Sequence, residues 1–179
     1  MNIKPRIALT GFMGVGKTTI SKYLGHMLQT DSLDLDRFIE INERRSIVEL
    51  IKTEGVEKFR ELETENLRKI FATDVPVIAL GGGTWISETN RAIIKETGYT
   101  TVWLQSTFEH CWRNLSVSKQ GRPLIISRNS ALSLFEERQR IYCLADWHFT
   151  VKPHFTSFEI ARRIAEEIAG WNFRRYLRK

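Results

Sequence analysis

The chain has only two cysteines and four prolines in 179 residues, and it has no long apolar run. Cys111 and Cys143 are far apart and form neither a metal-binding nor a redox spacing. We expect both to be small buried residues in a reducing compartment. No apolar run approaches the roughly 20 residues that a membrane-spanning helix needs. The sequence therefore predicts a chain that does not cross a membrane.

The chain also lacks internal repeats, low-complexity stretches and linker-like segments rich in proline, glycine or serine. Its length suits one domain over residues 1–179. Met1 to Arg6 lead directly into an apolar segment, so we expect no signal peptide and a cytoplasmic location.

The charge balance is positive, with a formal net charge of +6. Such a balance favours an anionic ligand, and nucleic acid is the other class of partner that it allows. The basic residues are spread along the chain, and only the end, Arg174 to Lys179, is locally dense, as is typical of a solvated, frayed tail. We expect no nucleic-acid or membrane partner, and we expect a monomer.

One motif dominates the sequence: Gly11 to Thr18 matches the phosphate-binding pattern G-x-x-x-x-G-K-[ST]. It follows a strand-like run, Ile7–Thr10, and precedes a segment with helical periodicity, Thr19–Leu28. The glycines let backbone N–H groups surround an anion, and the helix adds its positive dipole end. Lys17 supplies a charge for the β- and γ-phosphates, and Thr18 offers a hydroxyl to Mg²⁺. The alternative is an ordinary glycine-rich turn between a strand and a helix.

Strand-like and helical runs alternate along the chain, which predicts an α/β fold with a mostly parallel sheet covered by helices on both faces. The five predicted strands are Ile7–Thr10, Ser32–Leu35, Val75–Leu80, Thr100–Leu104 and His148–Val151.

Two stretches are interpreted as insertions on this core. The first, residues 36–63, contains a capping box that begins at Ser46, and Gly55 is expected to end the helix that this box starts. The second, residues 116–126, is polar and carries Gly121 and Pro123. It is interpreted as a mobile lid, because phosphoryl-transfer enzymes must exclude water, with a static surface loop as the alternative.

Two carboxylates, Asp34 and Asp36, end the second predicted strand. Alternation along a strand places both on one side, where they can face the phosphate loop. One carboxylate can hold Mg²⁺ through water, and the other can orient an attacking hydroxyl. The alternative is that Asp36 caps the helix that follows.

Three glycines, Gly81 to Gly83, follow the third predicted strand, and such a turn allows a ligand to approach the backbone closely. Three arginines are candidates to hold a carboxylate or phosphate charge, Arg60, Arg122 and Arg138. For Arg60 the alternative is an exposed helical ion pair with Glu63, and for Arg138 a solvated helix face.

In their order along the chain, these pieces resemble the shikimate kinase family. The resemblance rests on the phosphate loop, Asp34-Leu35-Asp36, Phe59 to Glu63, Leu80 to Gly83, Gly121 to Ile125, and Arg138 with Tyr142. It covers most of the chain, as far as Val151, and it implies a P-loop kinase fold with a five-stranded parallel sheet, a substrate-binding insertion and a lid. The chain departs from the family pattern between Arg138 and Tyr142, where the usual proline is absent, and in the loop after the fifth strand, to which we assign no adenine contact.

The implied reaction is transfer of the γ-phosphate of ATP to the 3-hydroxyl of shikimate, in the pathway that leads to the aromatic amino acids through chorismate. By this resemblance, Lys17, Asp36 and Arg122 are catalytic. The implied substrate residues are Asp36, Arg60, Gly81, Gly82, Gly83 and Arg138, with the two arginines on the carboxylate.

The same resemblance implies an ATP site and a Mg²⁺ site. The ATP site would contain Gly14, Val15, Gly16, Lys17, Thr18, Thr19, Arg113 and Arg122. Mg²⁺ would be held by Thr18 and, through water, by Asp34. The alternatives are a gluconate-kinase-like enzyme that acts on another polyhydroxy acid, and a nucleotide-binding module without phosphoryl transfer.

Overall fold

A five-stranded parallel sheet forms the centre of the chain in the computed structural model, which describes residues 5–117 and 127–170. The strands are β1 Ile7–Thr10, β2 Ser32–Asp34, β3 Val77–Ala79, β4 Thr100–Gln105 and β5 Trp147–Thr150. The helices are α1 Lys17–Leu28, α2 Leu35–Glu43, α3 Ile47–Ala72, α4 Glu88–Glu96, α5 Phe108–Val117, α6 Arg128–Tyr142 and α7 Ser157–Ala169, with a 3₁₀ turn at Thr84–Ile86. The predicted five-stranded parallel sheet with flanking helices is confirmed.

The strand order is β2-β3-β1-β4-β5, and every neighbouring pair is parallel. Leu9 pairs with Ala79 on one side and Val102 on the other, and Asp34 also pairs with Ala79. The ends of β2, β3 and β1 therefore lie side by side, at the edge where open α/β sheets bind ligands.

The central strands have nearly continuous apolar sequences because helices cover both faces of the sheet. All four residues of β1 are buried, and so are all three of β3. Helix α1 buries Ile20, Leu24 and Met27. Helix α7 packs against α1, and its start is fixed by a reciprocal capping box between Thr156 and Glu159.

Element boundaries differ from the predictions by one or two residues. Strand β2 ends at Asp34 because α2 already begins at Leu35. Strand β3 is shorter than predicted, while β4 extends to Gln105 and β5 begins at Trp147 and ends at Thr150. Helix α1 begins at Lys17, inside the phosphate-binding motif itself.

The first predicted insertion, residues 36–63, contains most of α2 and the first part of α3. The hydroxyl of Ser46 accepts a hydrogen bond from the backbone N–H of Glu49, which fixes the start of α3 as predicted. Gly55 interrupts this helix with φ 88° and ψ 169°, a conformation open essentially to glycine alone. The predicted end of the first helical segment at Gly55 is confirmed, and a second segment follows at once.

Only residues 116–117 of the predicted lid, and none of the basic end from Arg174, lie among the described residues. Across the part of the chain that the structure describes, no helix combines the length and the apolar character needed to cross a bilayer.

The two cysteines differ in environment, which corrects the prediction that both are buried. Cys111 is buried on α5, whereas Cys143 is exposed just beyond the end of α6. The Cys143 thiol donates to the Arg140 carbonyl at 3.2 Å. The buried face of α6 ends with Tyr142, so the next residue points away from the core.

We predict that Gly55→Ala lowers the free energy of unfolding by about 1–3 kcal/mol, because an alanine there must adopt strained backbone angles. Urea unfolding followed by circular dichroism measures this. Lys52→Ala, at an exposed position of the same helix, is the control and should change stability by no more than about 0.5 kcal/mol. A Gly55→Ala variant as stable as the original chain would show that the helix can run straight through this point.

Candidate active site

The phosphate-binding loop connects the end of β1 to the first residue of α1. Its three glycines, Gly11, Gly14 and Gly16, all have positive φ values, of 136°, 81° and 103°. The ammonium group of Lys17 lies over the loop and donates to the carbonyls of Gly11 at 2.7 Å and Phe12 at 3.2 Å. A glycine-rich turn, a helix N-terminus and a positive charge thus meet at one point, as an anion site requires.

Helix α5 packs closely against this loop at Gly14. A Cβ atom on Gly14 would lie 2.5 Å from the Cys111 carbonyl oxygen, so no side chain fits there. The side-chain amide of Asn114 donates to the Gly14 carbonyl at 2.8 Å. Sequence reasoning missed Asn114, since a contact between residues a hundred positions apart has no local spacing signal. Arg113, its neighbour on α5, is exposed.

Thr18 and Asp34 meet beside the loop. The hydroxyl of Thr18 donates to Asp34 Oδ2 at 2.5 Å, and Asp34 Oδ1 accepts from the backbone N–H of Arg37 at 3.1 Å. Asp34 therefore caps α2, and the alternative that Asp36 is the cap is wrong.

Asp36 lies in the first turn of α2, not on a strand, so the predicted strand alternation of the two carboxylates is also wrong. The backbone turns at Asp34 and directs the two side chains to different partners. Asp36 Oδ1 lies 2.5 Å from where a Cβ on Gly81 would stand. The two carboxylates thus occupy neighbouring but distinct places, one beside Thr18 and one beside the turn Gly81–Gly83.

This turn, which we call the glycine turn, follows β3. Each of its three glycines lies against one residue predicted to bind substrate. Asp36 lies against Gly81, Arg138 Nη1 donates to the Gly82 carbonyl at 2.9 Å, and a Cβ on Gly83 would overlap the Arg60 guanidinium. A larger residue at Gly81 or Gly83 would displace the charged group beside it.

The glycine turn also lies beside the phosphate loop. A Cβ on Gly82 would lie 3.5 Å from the Met13 backbone nitrogen and 3.6 Å from Arg138 Nη1. Helix α6 bridges the same two features, since the Phe135 ring stacks edge-on against Phe12 of the loop with centroids 5.2 Å apart. The structure thus brings the phosphate loop, Asp36, Arg60 and Arg138 to one place.

Arg60 and Glu63 form an ion pair at 2.7 Å, but it is not the exposed pair that the alternative interpretation describes. The side chain of Glu63 is 1% exposed, and its second oxygen accepts from Thr84 Oγ1 at 2.7 Å. A buried carboxylate is tolerated only with such partners. Glu63 therefore fixes the Arg60 guanidinium against the glycine turn.

Arg138 is also buried, at 5% exposure, so the alternative of a solvated helix face is wrong. Tyr142, one helical turn further along α6, donates to the same Gly82 carbonyl at 2.5 Å. Burial raises the pKa of Tyr142 to about 12, so its hydroxyl keeps its proton at neutral pH.

The remaining predicted residues divide into described and undescribed ones. Val15, within the phosphate loop, is buried, and Thr19 is exposed in the first turn of α1. Arg122 lies outside the described residues. Among residues 5–117 and 127–170, no group of three or more His, Cys, Asp or Glu side chains could hold a metal ion by itself.

Taken together, the parallel sheet and the loop with its lysine and threonine define a P-loop phosphotransferase. Residues 13–169 match the family model for shikimate kinase. The chain is 38% identical over 140 residues to shikimate kinase from Alkaliphilus oremlandii, covering 76% of this chain and 82% of the relative. Over an alignment of 181 positions, it is 37% identical to shikimate kinase from Salinibacter ruber, covering 94% of this chain and 88% of the relative.

A solved structure gives the same result. Shikimate kinase from Acinetobacter baumannii in complex with shikimate superposes with a TM-score of 0.85 at 27% identity, over 96% of this chain and 97% of that one. The chain belongs to the shikimate kinase family, and it is an ATP-dependent small-molecule kinase.

We predict that a thiol reagent at neutral pH modifies Cys143 and leaves Cys111 unmodified in the folded protein. Burial raises the pKa of Cys111 to about 11, so little of the reactive thiolate forms. Peptide mass spectrometry after labelling identifies the modified residue. Cys143→Ala should then show no reaction until urea unfolds the chain, and rapid labelling of Cys111 in the folded protein would contradict its burial beneath the phosphate loop.

Proposed function

We propose that the protein transfers the γ-phosphate of ATP to the 3-hydroxyl of shikimate at the site described above. One observation carries this proposal: Gly82 of the glycine turn lies beside Met13 of the phosphate loop and accepts a hydrogen bond from Arg138, and the next residue, Gly83, lies against Arg60. A donor phosphate and an acceptor alcohol can therefore meet without a large movement of the described elements.

The nucleotide phosphates are assigned to the backbone of Gly14 to Thr19, with Lys17 on the transferring group. Lys17 is 9% exposed and already directed into the loop, so its charge acts in a partly desolvated place. Arg113 is assigned to the adenine side on the basis of family resemblance and its place on α5 beside the loop. Arg122 is assigned to closure over the phosphates.

The shikimate carboxylate is assigned to Arg60 and Arg138. Planar guanidinium groups bind carboxylates in a paired geometry, and both groups are already fixed, Arg60 by Glu63 and Arg138 by the Gly82 carbonyl. Asp36 is assigned to the substrate hydroxyls, because its carboxylate lies at the first glycine of the same turn. The glycine turn itself lets the ring of the substrate approach the backbone.

Mg²⁺ fits the pair formed by Thr18 and Asp34. A hydroxyl and a carboxylate oxygen are the hard oxygen donors that this ion prefers, and the two atoms are 2.5 Å apart beside the phosphate loop. Thr18 would hold the ion directly and Asp34 through water, with the nucleotide phosphates supplying further oxygens. When bound, Mg²⁺ neutralises charge on the β- and γ-phosphates.

In the proposed transfer, Asp36 orients the 3-hydroxyl and accepts its proton, which it later releases to solvent. The bond from the hydroxyl oxygen to the γ-phosphorus forms as the bond from that phosphorus to the β,γ-bridging oxygen breaks. The bridging oxygen keeps the electron pair and leaves as part of ADP. Lys17 stabilises the charge on the transferring group, and the buried guanidinium of Arg138 holds the acceptor in line.

Two alternative functions receive less support. A gluconate-kinase-like enzyme would share the fold, but the family match, the glycine turn and the Asp34–Asp36 segment favour shikimate. A nucleotide-binding module without phosphoryl transfer would have no use for a buried guanidinium and a second carboxylate beside its phosphate loop. We further propose that the enzyme works in the cytoplasm, since its two free cysteines suit a reducing compartment. We also propose that it works as a monomer.

The direct test is release of ADP from Mg·ATP, measured with shikimate, with gluconate and without an acceptor. We expect ADP only with shikimate, and turnover with gluconate would favour the first alternative. Lys17→Ala should lower turnover by about a hundred- to a thousandfold while circular dichroism shows an intact fold, because the lysine acts on developing phosphate charge. A loss confined to shikimate affinity in this variant would contradict the role assigned to Lys17.

Asp34 offers a second test, because it both caps α2 and faces the proposed metal site. Asn is as good a cap as Asp, so Asp34→Asn should leave stability nearly unchanged, whereas Asp34→Ala should lose about 1 kcal/mol. The Mg²⁺ concentration for half-maximal rate should rise about ten- to a hundredfold in both variants. Rate measurements across a Mg²⁺ titration check this, and a normal Mg²⁺ requirement in Asp34→Asn would leave capping as the only role.

A further inference from the structure

We propose that Tyr142 is a positioning residue for shikimate: its hydroxyl, together with Arg138, fixes the Gly82 carbonyl and so holds the glycine turn in its binding conformation. This inference rests on the proposed function, because it assigns a role within the same site. Tyr142 does not contact substrate in this proposal, and it acts through the turn and through Arg138.

Two donors converge on one backbone oxygen. The Tyr142 hydroxyl donates to the Gly82 carbonyl at 2.5 Å, and Arg138 Nη1 donates to it at 2.9 Å. A carbonyl oxygen has two lone pairs, so these two bonds use its full accepting capacity. Tyr142 is fully buried and Arg138 is 5% exposed, which keeps water from replacing either donor. The peptide unit of Gly82 is thus held in one orientation.

The two donors come from one face of one helix. Arg138 and Tyr142 are four residues apart on α6 and therefore point the same way. A third bond ties the same helix to the segment that follows the turn, since Trp85 Nε1 donates to the Ile141 carbonyl at 3.1 Å. The Tyr142 ring packs against the Trp103 ring of β4, with centroids 6.3 Å apart. Sheet and helix together fix the hydroxyl.

Anchoring of the Gly82 carbonyl affects the part of the site that is proposed to bind shikimate. Gly81 and Gly83 flank the fixed peptide unit, and they lie against Asp36 and Arg60. A small rotation at Gly82 would therefore shift the surface on which all three proposed shikimate-binding side chains converge. The phosphate loop is held by other hydrogen bonds, from Lys17 to the Gly11 carbonyl and from Asn114 to the Gly14 carbonyl. Loss of the tyrosine hydroxyl should disturb shikimate more than ATP.

Burial raises the pKa of Tyr142 to about 12, so the hydroxyl remains a donor at the pH of any ordinary assay. The hydrogen bond from Tyr142 to the Gly82 carbonyl does not depend on the ionisation of another group. The effect of removing the hydroxyl on the KM for shikimate should therefore be the same across the neutral pH range.

The test is Tyr142→Phe, which keeps the ring and removes the hydroxyl. The matched control is Tyr99→Phe. Tyr99 is also buried, at 4% exposure, and its hydroxyl also donates to a backbone carbonyl, that of Val75. Tyr99 and Val75 precede β4 and β3, so this contact lies at the amino ends of the strands, whereas the site lies at their carboxyl ends. Each variant loses one hydrogen bond from a buried tyrosine to a carbonyl oxygen.

We expect Tyr142→Phe to raise the KM for shikimate about three- to tenfold, the size of one lost hydrogen bond, with the KM for ATP and kcat within about twofold of the original enzyme. Tyr99→Phe should change none of the three constants, although both variants should melt at a lower temperature. Assays are made well below the lowest melting temperature of the three proteins. An unchanged KM for shikimate, or equal rises in both KM values, would overturn the proposal.

A second variant guards against poor folding of Tyr142→Phe. Trp85→Phe removes the indole N–H that donates to the Ile141 carbonyl, together with part of a fully buried ring. It should melt at a lower temperature than the original protein and raise the KM for shikimate in the same selective way. Failure of the proposed function has a different signature, because the unaltered enzyme would then release no ADP in response to shikimate. Normal turnover by that enzyme, together with an unselective effect of both variants, would reject the role of Tyr142 alone.

Discussion

The parallel pairing of β2, β3 and β1 is the constraint on which the site depends. Strand β3 lies between the other two. The phosphate loop after β1, the two carboxylates at and just beyond the end of β2, and the glycine turn after β3 therefore lie at adjacent points. Each segment is only a few residues long, so none can move far from the strand that it follows. The register of three short strands thus sets the distances between the phosphate loop and the side chains proposed to bind shikimate.

Around this edge, the charged side chains of Lys17, Glu63 and Arg138 are buried and hydrogen-bonded. Lys17 bonds to carbonyls of the phosphate loop, and Arg138 bonds to the Gly82 carbonyl. Glu63, which is almost fully buried, pairs with Arg60 and Thr84. Satisfied polar networks of this kind are rigid, because breaking any one bond removes a partner from a buried charge. The charges are therefore in position before a substrate arrives.

Local patterns predicted the sheet, the phosphate loop, the start of α3 at Ser46 and the break at Gly55, since each depends on neighbouring residues. Asp36 was misplaced because the end of β2 is decided by the start of α2, one residue earlier than alternation suggests. The prediction that Cys143 is buried is wrong because apolar character alone does not show that this residue follows the end of α6 and points away from the core. The contacts of Asn114 with Gly14 and of Tyr142 with Gly82 join distant segments through a side chain and a carbonyl, and no spacing in the sequence encodes them.

Gly14 has a consequence for how such a chain can diverge. The phosphate-binding pattern leaves this position open to any residue. Here its φ of 81° and the nearby Cys111 carbonyl leave room for none but glycine. A descendant could therefore acquire a side chain at position 14 only if the loop backbone changed its angles and α5 moved outward. The loop and a helix far along the chain must change together or not at all.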